Sequence, residues 1–282
     1  MMQVLAALCG YLVASQGRPA NWVVFLSLMA GGAFFAAAGS TLNQIVERRS
    51  DQLMSRTKDR PLASGRMSPL LGWIWGTFLF TGGLLFFLLG VNPLAAAISA
   101  CGVLYYVIVY TIWLKPRSTL NIVVGGAAGA VAPLAGWAAV AGTVPLSAWL
   151  FFLLIVLWTP PHFWAIASLR ADDYRAAGFP MLPVVAGDAE AARQMLIYAV
   201  LVLVVGVVFA QTSTSLSPAS TLAALAVGSY FTWKVVRLNT VLKSSPQEKI
   251  SAFRKVFGAS IVYLWICMLV FSVDALVKGM VI

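Results

Sequence analysis

The sequence predicts an all-α integral membrane protein with nine transmembrane helices, and three observations predict it. First, 61% of the residues are hydrophobic and only 10% are charged, with a mean hydropathy of +0.89. A soluble domain needs a polar outer face that so apolar a chain cannot supply. Second, the apolar residues fall in runs of about 20, the length that crosses a hydrocarbon layer as a helix. Third, the charges gather in short segments between those runs.

The runs are residues 1–15, 22–43, 69–90, 93–113, 120–141, 147–169, 192–211, 218–241 and 253–277. At about 1.5 Å per residue the first is short for a full crossing. It reads as a tilted, retained helix, with no positively charged leader before it, or as the remainder of a chain that starts further upstream. The second run ends at the most charged stretch of the chain. The third and fourth are joined by a plain uncharged turn at Val91 and Asn92. The fifth is rich in small residues from Gly125 to Ala130, which permits close helix contact and also leaves room for a flat ligand beside the backbone. In the sixth, Pro160 and Pro161 should loosen the helix. The last three are ordinary apolar spans. Cys9, Cys101 and Cys267 lie singly inside runs, without metal-ligand spacing, and read as small packing residues.

Seventeen of the 19 Lys and Arg lie in or beside the loops after the second, fourth, sixth and eighth runs, against Arg18 and Lys278 on the other side. The positive-inside rule makes those loops cytoplasmic, with the N-terminus inside and the C-terminus outside a cell inner membrane. The net charge of +10 therefore reports topology. No basic domain interleaved with aromatics is present to bind nucleic acid.

Chemistry concentrates between Asn43 and Leu62. Asn43, Glu47 and Asp51 recur every four residues, so each step advances about 400° and about 6 Å, and all three share one helix face. Such a row suits a hard cation like Mg²⁺, which takes one or two carboxylates and completes its shell with water and phosphate oxygens. Arg56, Lys58 and Arg60 follow at a distance from which they fold back over an anionic ligand. A second constellation closes the sixth run: Thr159-Pro-Pro-His-Phe-Trp, then Asp172 and Asp173. Four runs separate the two acidic sites, a hint of internal duplication. The only histidine, His162, is either a hydrogen-bonded core residue or a substrate contact, because ionisable groups at membrane depth are costly to keep. As a contact it suits either a haem iron or an orienting hydrogen bond. The acidic residues have a bland reading too, as partners for Arg48, Arg49, Arg170 and Arg175.

These residues resemble the UbiA-type membrane prenyltransferases, whose first signature is Asn with acids four and eight residues on, then Arg-Thr and Arg-Pro-Leu. Here those are Asn43, Glu47, Asp51, Arg56-Thr57 and Arg60-Pro61-Leu62. Further blocks, from Tyr110-Thr111 to Lys115, Asn121 to Ala130, Pro133 to Trp137, Thr159 to Trp164 and Asp172 to Val185, are similar to the haem-farnesylating branch and extend the resemblance over nearly the whole chain. The resemblance implies one domain over residues 1–282, a nine-helix bundle with a cytoplasmic-side cavity. It also implies transfer of farnesyl from farnesyl diphosphate to a vinyl group of haem b, with addition of water, to give haem O. Mg²⁺ would be the cofactor. Farnesyl diphosphate, haem b and the lipid bilayer would be the partners, and a homodimer or association with haem A synthase stays open.

By the same resemblance, Asn43, Glu47 and Asp51 would hold the metal, and Asp172 and Asp173 would form a second acidic site, with Asp173 a further ligand. Arg56, Arg60, Lys115 and Arg117 would hold diphosphate, His162 the porphyrin, and Trp164 would shield an allylic cation. The chain departs from the pattern in carrying Glu47 for Asp, in lacking evenly spaced acids before Asp173, and in lacking a Lys-Pro-Arg approach before the first run. Two other readings stay in play: the same chemistry on another aromatic or quinone-precursor acceptor, and a non-catalytic haem-handling transporter. The His-Phe-Trp block weighs against the first, and acids at helix ends against the second.

Overall fold

The computed structural model describes residues 2–18 and 21–281, so Met1, where the first expected run begins, lies outside the described residues. Every regular element among them is helical. These are α1 (Met2–Ala14), α2 (Trp22–Gln52), α3 (Pro69–Gly90), α4 (Pro93–Leu104), α5 (Asn121–Ala141), α6 (Leu146–Leu169), α7 (Ala171–Ala176), α8 (Leu182–Thr212), α9 (Pro218–Thr240) and α10 (Pro246–Val281). α4 continues without a break as a π-helix over Tyr105–Leu114. Seven of them, α2, α3, α4 with its π continuation, α5, α6, α8 and α10, are long and apolar enough to cross a membrane. The large side chains they turn outward, such as Leu70, Leu89 and Leu146, at 70–85% exposure, would be untenable in water at this density. The protein is an integral membrane protein. α1 has 13 residues and falls short, and α9, interrupted by Ser, Thr, Lys234 and Arg237, holds no continuous stretch as apolar as those of the seven.

The helix ends differ from the sequence expectation where polar helix continues past apolar helix. α2 runs nine residues beyond Asn43, α8 starts ten residues before Ala192, and α10 starts seven before Phe253. Hydropathy marks the lipid-crossing part of a helix, whereas the backbone ladder goes on through the interface. α8 makes its early turns by bending at Gly187 (φ 81°, ψ 169°), a conformation that glycine adopts at little cost. α6 runs on through Pro160 and Pro161, so the double proline does not end the helix. Three helices open on a cap followed by proline. Ser68, Asn92 and Ser217 accept from Leu71, Ala95 and Ala219 backbone N–H groups, and Pro69, Pro93 and Pro218 occupy the first turn, where no N–H is needed.

α5 is the centre. Two thirds (67%) of its apolar window is buried, against 28% for α2 and α3 at the rim. Its small residues allow this: a Cβ on Gly136 would collide with the Ala7 carbonyl oxygen, and one on Gly10 with that of Pro133, so α1 and α5 touch backbone to backbone. On one side of α5, Tyr11, Leu28, Phe35 and Phe87 join α1 to α4. On the other, Phe151, Leu154, Met195, Phe209, Phe231 and Phe271 join α6, α8, α9 and α10. The polar ends of α2, α4 and α6 converge beside α5 and frame a cavity.

Candidate active site

The cavity holds about 460 Å³ and is walled by α1, α2, the π segment, α5, α6 and α7. Asn43, Glu47 and Asp51 line it along one face of α2, each at most 6% exposed. The turn after α2 is folded back on its own helix: the buried Thr57 hydroxyl donates to the Asp51 carbonyl (3.1 Å) and Gln52 donates to the Ala63 carbonyl (2.8 Å). That fold brings Arg60 Nη1 to both Asp51 carboxylate oxygens, at 2.9 and 3.1 Å, and sets the exposed Arg56 at the cavity mouth.

The π segment supplies the facing wall. Its wide turn is visible where Thr111 Oγ1 donates to the Tyr106 carbonyl (2.9 Å) and Lys115 N to the Tyr110 carbonyl (2.8 Å), each five residues back. Tyr106 and Tyr110 stack with centroids 5.6 Å apart and both line the cavity. Asn43 Nδ2 donates to Thr111 Oγ1 (3.1 Å), which turns the amide nitrogen outward and leaves the amide oxygen as the donor atom of the row. Lys115 reaches across to Glu47 with Nζ to Oε1 at 2.5 Å, its ammonium 4.5 Å from the Phe179 ring. Burial pulls the Lys115 ammonium below its usual range, and the Glu47 carboxylate pulls it the other way.

The third wall comes from α6. His162 stacks on Trp158, one turn earlier, with centroids 4.3 Å apart. Opposite them on α5, the Tyr110 ring fills the space beside Gly125 and Thr159 the space beside Gly126, so these two glycines seat neighbouring side chains and do not leave the room for a flat ligand that the sequence suggested.

The structure thus brings Asn43, Glu47, Asp51, Arg56, Arg60, Lys115 and His162 to one cavity and leaves four sequence candidates outside its lining. Arg117 is spent on the Ile112 and Trp113 carbonyls (2.7 and 3.2 Å). Trp164, 2% exposed, packs edge-on against Tyr198 of α8, because a position two after His162 falls on the opposite face of α6. Asp172 is exposed and paired with Arg175 (2.6 Å). Asp173 Oδ2 accepts from Ser55 Oγ (2.7 Å), and this hydroxyl, with the Ser55 backbone N–H and Arg170, holds its carboxyl below the usual range. Sequence reasoning missed Tyr106, Trp158 and Tyr174 as cavity residues. Trp158 stood four residues before His162, the spacing that shares a helix face, whereas nothing local marked the π turn that aims Tyr106.

Two carboxylates and an amide oxygen in a row are hard donors that fit a divalent cation. In the described residues both carboxylates are instead answered by Lys115 and Arg60, so a cation entering between them would free two positive side chains for its counter-anion.

The UbiA prenyltransferase family pattern matches residues 4–254. The chain is 39% identical over 278 residues to a protoheme IX farnesyltransferase of Synechococcus elongatus, covering 98% of this chain and 85% of that one. It is 38% identical over 264 residues to a protoheme IX farnesyltransferase of Gloeobacter violaceus, with 94% and 84% covered. Among solved structures, one concerning digeranylgeranylglyceryl phosphate synthase superposes with a TM-score of 0.78 at 18% identity, over 97% and 93% of the two chains. A UbiA homologue from Archaeoglobus fulgidus bound to GPP and Mg²⁺ superposes with a TM-score of 0.68 at 17% identity, over 95% and 97%. At those identities the structural likeness speaks to the fold.

Proposed function

The chain belongs to the UbiA prenyltransferase family, and from that premise we propose that it transfers the farnesyl group of farnesyl diphosphate to a vinyl group of haem b, with addition of water, giving haem O and diphosphate. The observation that carries this reading is the single cavity shared by an acidic row, three basic side chains and a histidine–tryptophan wall. The names of the 38–39% identical relatives supply the acceptor and the prenyl group.

In this reading Asn43, Glu47 and Asp51 hold Mg²⁺, which when bound supplies positive charge for the departing diphosphate. Arg56 and Arg60 at the mouth, with Lys115, bind the diphosphate oxygens, and Lys115 and Arg60 do so by leaving Glu47 and Asp51. The bond between farnesyl C1 and the bridging oxygen breaks. The allylic cation so formed faces Tyr106, Tyr110 and Trp158, whose ring faces stabilise positive charge where water would quench it. The vinyl terminus of haem bonds to farnesyl C1, the cationic centre moves next to the porphyrin, and water adds there and loses a proton. His162 and Trp158 border the part of the cavity that takes the macrocycle. Asp173 acts in this scheme by holding the chain after α2 through Ser55.

The chain is one domain in this reading, with nine crossings. α1 and α9 complete the bundle around the seven apolar helices, and the cavity opens on the cytoplasmic side, where the basic loops lie. Purified protein supplied with farnesyl diphosphate, haem b and Mg²⁺ is expected to yield farnesylated, hydrated haem by mass spectrometry. Prenylation of a small aromatic acid with no modified haem would overturn the choice of acceptor.

A further inference from the structure

Ser260 of α10 lies outside every motif of the sequence and is fully buried. Three hydrogen bonds meet on it. Its hydroxyl donates to the Phe257 carbonyl one turn back (2.6 Å). With its only proton committed there, Oγ is left to accept, and His162 Nδ1 lies 2.8 Å away. The network therefore assigns the proton of the neutral imidazole to Nδ1. The Ser260 carbonyl in turn accepts from Trp158 Nε1 at 2.7 Å. One residue of α10 thus ties down both members of the stack on α6, while Phe257 closes on the imidazole from 4.9 Å. Nε2 makes no hydrogen bond among the described residues, and His162 lines the cavity.

We propose that Ser260 is a positioning residue for the acceptor half of the site: by capturing Nδ1–H it keeps Nε2 as the one free electron pair of His162, presented to the haem substrate. This rests on the reading of His162 as a haem contact given above. The chemistry is that of a histidine whose remote N–H is held by an acceptor, an arrangement whose loss typically costs about 10- to 100-fold in affinity for the group on the other nitrogen. Ser260→Ala removes the acceptor without adding bulk, so the ring is free to carry its proton on Nε2.

The test is an absorbance titration of the full chain in detergent with haem b, run on the wild type, Ser260→Ala, Ser260→Thr, His162→Ala and the Ser260→Ala/His162→Ala pair. Ser260→Ala is expected to weaken haem binding about 10-fold and shift the Soret band towards that of His162→Ala. Ser260→Thr, which keeps the hydroxyl, should restore both, and Ser260→Ala should add nothing once His162 is gone. A general packing defect would move the double variant further and would not respond to Thr. If His162→Ala leaves the titration unchanged, the assignment of His162 to haem fails. If His162→Ala weakens binding and Ser260→Ala does not, or if the two effects simply add, the positioning role fails.

Discussion

The carboxylates at the end of α2 and those of α7 are neighbours, joined through Ser55, yet they live in different environments. Glu47 and Asp51 are buried, face a cavity and are each paired with a basic side chain, whereas Asp172 is exposed and Asp173 is occupied with the Ser55 hydroxyl and backbone. Both pairs are acids at helix ends beside basic residues, and the sequence makes both candidates for metal. The difference teaches that a carboxylate becomes a candidate ligand through what surrounds it. A buried acid answered only by movable Lys and Arg heads is costly to maintain and ready to exchange partners. A half-exposed acid tied to a backbone N–H is a fastener.

If that contrast is right, removing divalent cations is the most drastic perturbation. Chelation should abolish haem farnesylation in washed membranes, and added Mg²⁺ should restore it. Asp51→Asn comes next, lowering turnover by about 100-fold or more, the scale of losing one preorganised charge at a departing anion. Steady-state product formation checks it, and unchanged turnover would remove Asp51 from the chemistry. Lys115→Met should destabilise the protein by about 3–5 kcal/mol in thermal unfolding, because it strands the buried Glu47, and Glu47→Gln in the same chain should recover most of that.

The smaller effects belong to α7. Asp173→Asn should cost about 1 kcal/mol at neutral pH through its bonds to Ser55. Because the folded state depresses the Asp173 pKa, this contribution is present above the unfolded value of about 3.9 and is lost as pH falls through the folded one. Wild type and Asp173→Asn should therefore differ in Tm at pH 7 and converge on acidification. Asp172→Asn should change neither Tm nor turnover measurably, since both it and its partner Arg175 are exposed to solvent. A large loss of turnover in Asp172→Asn, with Asp51→Asn mild, would invert the comparison.

Much of the molecule was legible because its signals are local. Apolar run length marks spans, and the four-residue spacing put Asn43, Glu47 and Asp51 on one face before any coordinates. The sixth run, drawn straight through the double proline, matches α6, which stays helical across Pro160 and Pro161. Trp164 packs away from the cavity, whereas Trp158, four residues before His162 and so on its helix face, lines it. What the chain could not announce was long range: Ser55 beneath Asp173, Lys115 opposite Glu47, and Ser260 behind His162 are pairs separated by 68 to 118 positions.

The wide turn over Tyr105–Leu114 has a consequence for how the protein tolerates change. Each extra residue in a helical ladder displaces everything after it by about 100° around the axis. Deleting one residue there would convert the segment to ordinary α-helix while leaving its apolar character intact. Lys115 would swing away from Glu47 and Thr111 from Asn43, silencing the cavity in a chain that still inserts and folds.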